Sequence, residues 1–141
     1  MDFNINSSVG FTISTTLNIL RKSFNKKIQD FNLTSEQYGI LKLIDEFGAM
    51  TPTKISSLLE RDKATITRII NSLEKKGLIT KTKLNNKSFE IDFSSKGLEE
   101  FKKAHEVAKE FHKEIRNLLS EEEFNIMLNS LNKIKNYFKD Y

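Results

Sequence analysis

Residues 62–77 read DKATITRIINSLEKKG, and this stretch decides the fold. Its apolar residues recur at helical spacing, at Ile66, Ile69, Ile70 and Leu73. Such spacing places one apolar stripe along a helix, which we predict over 63–76. The aspartate at position 62 is a typical N-cap, and the glycine at position 77 is typical of the residue just past the end of a helix.

A shorter helix precedes this one. Thr51 followed by Pro52 is typical of an N-cap and the first helical residue. We predict that this helix buries Ile55, Leu58 and Leu59. Residues 60–62 then form a three-residue turn, the connection that two crossed helices need in a helix-turn-helix motif.

One more helix begins further upstream. Thr34 with Gln37 three residues later is a capping box. The predicted buried face of this helix carries Tyr38, Leu41, Ile44 and Phe47 or its neighbours, and Gly48 is its expected C-terminal cap.

The apolar period changes from 3.6 to 2 after residue 77. Residues 78–83 and 88–93 alternate apolar and polar side chains around the polar loop 84–87, which predicts a β-hairpin. The predicted fold class is therefore mostly α with a small β-hairpin: a winged helix-turn-helix whose wing is the hairpin.

Long helices flank the winged unit. We assign residues 33–94 to the winged helix-turn-helix, and residues 1–32 and 95–141 to a helical dimerisation region, within one compact domain overall. The flanking helices carry longer apolar stripes than a small winged unit can cover, which predicts a homodimer. Its predicted interface residues are Val9, Ile13, Leu17, Phe124, Leu128, Leu131, Ile134 and Phe138.

The charge distribution indicates a polyanionic partner. The net charge is +4. Residues 51–90 hold nine Lys and Arg residues against four acidic ones, so the excess lies in the winged unit. A localised basic patch is typical of nucleic-acid binding, and we predict double-stranded DNA as the partner.

The face of helix 63–76 opposite its apolar stripe suits the major groove of DNA. It is small and polar, with Arg68 able to pair with guanine and Asn71 with adenine. The alternative is an ordinary solvated helix face. The predicted DNA contacts are Thr51, Thr53, Lys54, Asp62, Lys63, Ala64, Thr65, Thr67, Arg68, Asn71, Lys75, Lys81, Lys83, Asn86 and Lys87.

Four segments read LTSEQY at 33–38, DKATITR at 62–68, LEKKGLI at 73–79 and SSKG at 94–97. In this order they resemble the MarR family of bacterial transcriptional regulators. The resemblance implies a homodimer with the recognition helix 63–76 in the major groove and the wing tip 84–88 at the minor groove. The family usually has Asp-Xaa-Arg at the wing tip, where this chain has Asn85-Asn86-Lys87.

The resemblance also implies a small aromatic or phenolic effector. Phe24, Tyr38 and Phe101 are the predicted lining of its pocket, and ordinary core packing is the alternative. The predicted function is a dimeric, sequence-specific regulator of pseudo-palindromic promoter sites, more often a repressor. The alternative is a winged-helix protein-interaction module that does not read an operator.

Several other classes of function find no support in the sequence. There is no cysteine, and His105 and His112 lie seven residues apart rather than at the three- or four-residue spacing of helical metal ligands, so we expect no metal site. Without a Gly-rich phosphate loop or a nucleophile motif, we expect no enzyme activity and no cofactor. The absence of a membrane-length apolar stretch and of an export signal predicts no membrane partner and a cytoplasmic protein.

Overall fold

The computed structural model describes residues 4–139. Residues 1–3 and 140–141, which the sequence assigns to the helical region, lie outside the described residues. The element order is α1 (Val9–Ile28), α2 (Ser35–Phe47), α3 (Pro52–Leu59), α4 (Lys63–Lys75), β1 (Ile79–Asn85), β2 (Ser88–Phe93), α5 (Ser95–Leu118) and α6 (Glu121–Phe138). Short 3-10 turns at Ile5–Ser7 and Gln29–Phe31 flank α1. The predicted class, mostly helical with one antiparallel hairpin, is confirmed.

The chain divides into two compact units. The first ends at Val107 and the second begins at Ala108, so the boundary falls within α5. The first unit contains α1 to α4, the hairpin and the start of α5. The second contains the rest of α5 and α6.

Local capping determines where α2, α4 and α6 begin. Thr34 and Gln37 form the predicted capping box of α2, and Ser120 with Glu123 forms that of α6. The Asp62 side chain accepts a hydrogen bond from the Thr65 backbone N–H at the start of α4. These polar side chains satisfy backbone donors that a helix leaves unpaired in its first turn.

The core of the winged unit forms around the apolar stripe of α4. The residues predicted for that stripe are all buried. Three predictions on the preceding helices are wrong, because Phe47, Leu58 and Leu59 are exposed, Phe47 to 64%. Each lies at the last turn of its helix, where the chain turns away, and α3 buries only Ile55.

The hairpin is longer and more exposed than its alternating pattern suggests. β1 extends to Asn85, which pairs with Ser88 across a two-residue turn. Within the two strands, only Ile79 and Ile91 near the base are buried. Met50, before α3, exchanges two backbone hydrogen bonds with Ile91, at 3.2 and 2.9 Å, so the base of the wing is tied to the helices.

The start of α5 lies directly against the end of α4. The Ser94 hydroxyl donates to the Gly77 carbonyl at 2.6 Å and accepts from the Gly97 N–H at 2.9 Å. A Cβ at position 97 would lie 1.8 Å from the Leu78 carbonyl oxygen. Only glycine permits this approach, because a side chain at position 97 would overlap the backbone of residue 78.

The apolar stripes of α1 and α6 remain exposed in the single chain. In α1, Val9, Ile13 and Leu17 are 55%, 43% and 42% exposed. In α6, Leu128, Ile134 and Phe138 are exposed and Leu131 is partly exposed. Phe124 differs from them, because the His112 ring and the Arg116 guanidinium already pack on it within its own unit.

Candidate nucleic-acid interface

A tight turn sets α4 against α3. Glu60 adopts a left-handed conformation with φ of 51°, which ends α3. The Arg61 N–H donates to the Ser56 carbonyl at 3.1 Å, and the Ser56 hydroxyl donates to the Arg61 carbonyl. The predicted three-residue turn of a helix-turn-helix is therefore confirmed.

The predicted recognition face of α4 lies on the surface. The side chains of Lys63, Ala64, Thr67, Asn71 and Lys75 are exposed. Ala64, Thr67 and Asn71 are small or polar, and Lys63 and Lys75 place a positive charge near each end of the helix. Short side chains allow a helix backbone to approach base edges.

Asp62 and Thr65 are hydrogen-bonded to each other at the start of this helix. The Thr65 backbone N–H and hydroxyl donate to the two Asp62 carboxylate oxygens at 2.9 and 2.7 Å. The hydroxyl and the backbone N–H hydrogen bonds from Thr65 lower the pKa of Asp62. The carboxylate therefore serves as the cap at the N-terminal end of α4.

Arg68, the one arginine of α4, forms an ion pair with an acid from another helix. Its Nη2 donates to Glu36 Oε2, in the first turn of α2, at 3.1 Å. The Arg68 side chain is 66% exposed and that of Glu36 29% exposed. The sequence does not reveal this pair, because the two residues are 32 positions apart and neither lies at a helical or strand spacing from the other.

A buried amide joins α2 to α4 beside this pair. The Gln37 amide nitrogen donates to the Ser72 hydroxyl at 2.9 Å, and its oxygen accepts from Lys76 Nζ at 2.8 Å and from the Thr34 N–H at 3.0 Å. Lys76 Nζ also donates to the Asn32 carbonyl, and burial lowers the pKa of Lys76. The capping box predicts the bond to Thr34 but not the bonds that orient α4.

The wing tip is a closed turn despite its departure from the family pattern. Asn85 Oδ1 accepts the backbone N–H groups of Lys87 and Ser88 at 2.8 and 3.0 Å. An asparagine oxygen can accept both bonds as a carboxylate would. Asn86 and Lys87 are exposed at the tip of this turn.

The remaining predicted DNA contacts, on the wing and around α3, differ in their surroundings. Lys81 pairs with Glu74 of α4 at 3.3 Å and lies over the Phe89 ring, and both Lys81 and Lys83 of this strand are exposed. In α3, Thr53 and Lys54 are exposed. Thr51, just before α3, is half-buried, and its hydroxyl oxygen accepts the Lys54 N–H.

The three aromatic residues predicted to line an effector pocket pack on one another. The Tyr38 ring centroid lies 5.2 Å from that of Phe24 and 5.5 Å from that of Phe101. The Tyr38 hydroxyl is hydrogen-bonded to His105 Nδ1 at 2.9 Å. Desolvation by burial, with smaller contributions from Asp45 and Glu46, raises the pKa of Tyr38 to about 12.

A separate cleft of about 330 Å³ lies beside α4. It borders the Glu36–Arg68 pair rather than the aromatic cluster. Its lining residues are Arg21, Asn25, Thr34, Ser35, Glu36, Gln37, Arg68, Ile69 and Ser72.

Two further structural findings concern the described residues alone. Within residues 4–139, no helix has both the length and the apolar character needed to cross a membrane. The same part of the chain contains no group of three or more His, Cys, Asp and Glu side chains placed to hold a metal ion.

Comparisons with known proteins agree with this geometry. Residues 33–87 match the MarR family. Over 75 residues, the chain is 29% identical to the uncharacterized HTH-type transcriptional regulator YwoH of Bacillus subtilis (strain 168). That match covers 53% of this chain and 55% of the relative, so it spans only about half the relative's length.

Solved structures share the fold over nearly the whole chain. A complex of S. aureus MepR with DNA has a TM-score of 0.85 at 20% identity, covering 92% of this chain and 97% of that one. The organohalide-sensing regulator RdhR-CbdbA1625, bound to 2,4-dichlorophenol, has a TM-score of 0.86 at 22% identity, covering 96% and 82%. At these identities the likeness establishes the fold.

Helices α3 and α4, joined by a three-residue turn and followed by a two-stranded wing, define a winged helix-turn-helix protein. The matched segment 33–87 includes α2, α3, α4 and the wing tip. Over that segment the chain is similar to the MarR family.

Proposed function

We propose that this protein is a homodimeric, sequence-specific regulator that binds pseudo-palindromic promoter sites as a repressor and is released by a small aromatic or phenolic effector. The observation that carries the proposal is the exposed face of α4. It is polar, holds a single arginine at its centre and belongs to the segment that contains the chain's positive excess.

Reading of the DNA sequence is assigned to α4. Ala64 and Thr67 are short enough to let the helix enter the major groove, where Arg68 can bond guanine and Asn71 adenine. Lys87, at the tip of the wing, supplies positive charge to the adjacent minor groove. Lysine is a hydrated point charge without the planar fork of arginine, so we expect the wing to add affinity more than base selectivity.

The exposed apolar stripes support the homodimer. A soluble monomer rarely leaves large contiguous apolar patches uncovered. Two-fold pairing covers the same patch on both copies and presents two recognition helices to one side of the duplex. The two half-sites are then expected one helical turn apart, about 34–36 Å.

The effector proposal rests on the aromatic cluster. Phe24, Tyr38 and Phe101 form one aromatic cluster, and a ligand hydroxyl group that enters it would exchange for the present Tyr38–His105 hydrogen bond. The fold relative RdhR-CbdbA1625 binds 2,4-dichlorophenol, which supports a phenolic class of ligand.

DNA selection from a randomised duplex pool tests the proposal, because the protein itself picks out the sites that it prefers. We expect enrichment of an inverted repeat, bound with a slope of log K against log salt of about −5 to −6 if roughly half of the twelve candidate lysines of a dimer contact phosphates. These lysines are Lys54, Lys63, Lys75, Lys81, Lys83 and Lys87 of each copy. A pool without enrichment, or a flat salt response, would instead favour the protein-interaction module.

A further inference from the structure

The arginine proposed to read DNA is held by an acid that lies outside the recognition helix. We propose that Glu36 is a positioning residue that directs the Arg68 guanidinium toward base edges and away from phosphates, and thereby sets the base selectivity of this protein. The inference rests on the proposed DNA reading by α4, and it adds a determinant that lies on α2.

The residues around Glu36 restrict its side chain to a defined position. Its side chain is mostly covered, and the next residue, Gln37, is buried. Gln37 is hydrogen-bonded to Thr34, the N-cap of α2, to Ser72 of α4 and to Lys76. Because this network fastens the first turn of α2 to α4, the Glu36 carboxylate has a defined place from which to hold Arg68.

One bond to the carboxylate leaves most of the guanidinium available. Nη2 is the nitrogen that donates to Glu36, at 3.1 Å. A guanidinium has five N–H donors, so the remaining ones can still form the two-bond contact with guanine. An arginine without such a partner is free to turn toward any phosphate, a contact that carries no sequence information.

The Glu36–Arg68 pair adds little to folding stability but much to the discrimination between DNA sequences. An ion pair as exposed as this one contributes little to folding, because water and salt screen it. The carboxylate, however, adds a negative charge close to the expected DNA surface. It therefore weakens contacts with phosphates on every sequence, while the base contact of Arg68 restores affinity only where guanine is present.

The chain offers a matched control on the recognition helix itself. Glu74 of α4 pairs with Lys81 of the wing at 3.3 Å. Glu74→Gln removes one negative charge from the candidate interface without touching Arg68. A purely electrostatic role for Glu36 would make the two variants behave alike.

The test uses the full chain and two duplexes of equal length, one selected by the wild type from a randomised pool and one not selected. Glu36→Gln is expected to bind the unselected duplex about threefold to tenfold more tightly and to lower the ratio of the two affinities by about tenfold. The loss of preference should fall at one base position per half-site. Glu74→Gln should raise affinity for both duplexes to a similar degree and preserve the ratio.

Two measurements separate positioning from other roles. In an Arg68→Ala background, Glu36→Gln should cause no further loss of selectivity, and the thermal unfolding midpoint of Glu36→Gln should match that of the wild type. If Glu36→Gln retains the wild-type ratio of the affinities for the selected and unselected duplexes, the inference is wrong. It is also wrong if Glu36→Gln lowers that ratio by the same factor in the Arg68→Ala background. If the wild type itself selects no sequence, the proposed function fails instead.

Discussion

The winged unit buries the apolar stripe of its central helix, whereas the flanking helices leave apolar stripes exposed. In the winged unit, the stripe of α4 is covered by the same chain, and polar side chains close each helix start and the wing turn. In α1 and α6, apolar side chains at regular spacing stay exposed. The first region therefore covers its apolar residues within one chain, whereas the second leaves them exposed, as the proposed homodimer would require.

Disrupting the stripes should give the largest effect. Ile13→Asp combined with Leu128→Asp puts charges into both exposed stripes, and we expect the particle to fall to the 16.4 kDa of one chain. Because a monomer binds one half-site at a time, affinity for the selected duplex should fall about 100-fold or more. Light scattering and gel-shift titration would measure the two effects.

Phe47→Asp is the control for that variant, since Phe47 is also apolar and exposed but lies outside both stripes. It should leave the dimer intact. Dissociation by Phe47→Asp, or a dimer that survives the double substitution, would show that the stripes are not the interface.

Substitution of Gly97, at the start of α5, should destabilise its packing against the backbone of Leu78. Gly97→Ala forces a Cβ onto the Leu78 carbonyl, and we expect a loss of about 1–3 kcal/mol or more in the free energy of unfolding. Gly39→Ala in α2 meets no atom within 4 Å and should instead stabilise by about 0.5–1 kcal/mol. Denaturant unfolding at one fixed protein concentration would compare them. Equal changes in the free energy of unfolding for Gly97→Ala and Gly39→Ala would refute the close approach of Gly97 to the Leu78 carbonyl.

Removing the proposed base-reading side chain should cost less, and only on DNA. Arg68→Ala is expected to weaken binding to the selected duplex by about 1–3 kcal/mol and to flatten the preference at one base position per half-site. Its thermal stability should hardly change, because the side chain is mostly exposed. A panel of singly substituted duplexes would report the affected position.

The wing tip should show the smallest effect. Lys87→Ala is expected to weaken all sequences evenly and to reduce the salt slope by about one per wing. Lys113→Ala on α5 removes a lysine that is paired with Glu110 and lies outside the candidate interface, so its slope should not change. If Lys87→Ala abolishes base discrimination while Arg68→Ala preserves it, the roles of helix and wing are reversed.

Local patterns predict most of the elements because their causes are local. Capping residues lie three positions apart, and the apolar period reports which face of α4 is buried. The same period wrongly predicts that Phe47, Leu58 and Leu59 are buried, because it carries no information on how far the core extends beneath the end of a helix.

The contacts that orient the site cannot be predicted in this way. Glu36 with Arg68 and Gln37 with Ser72 join residues that are 32 and 35 positions apart. Gly97 is required by the carbonyl of Leu78, between α4 and β1, which no spacing along the chain reveals.

Sedimentation equilibrium of the wild-type chain, alone and with its selected duplex, tests the central claim most directly. We predict twice 16.4 kDa for the free protein at micromolar concentration, and two chains per duplex containing two half-sites. A stable particle of single-chain mass that binds DNA with one chain per duplex would contradict the account, because the exposed stripes would then have no partner copy to cover them.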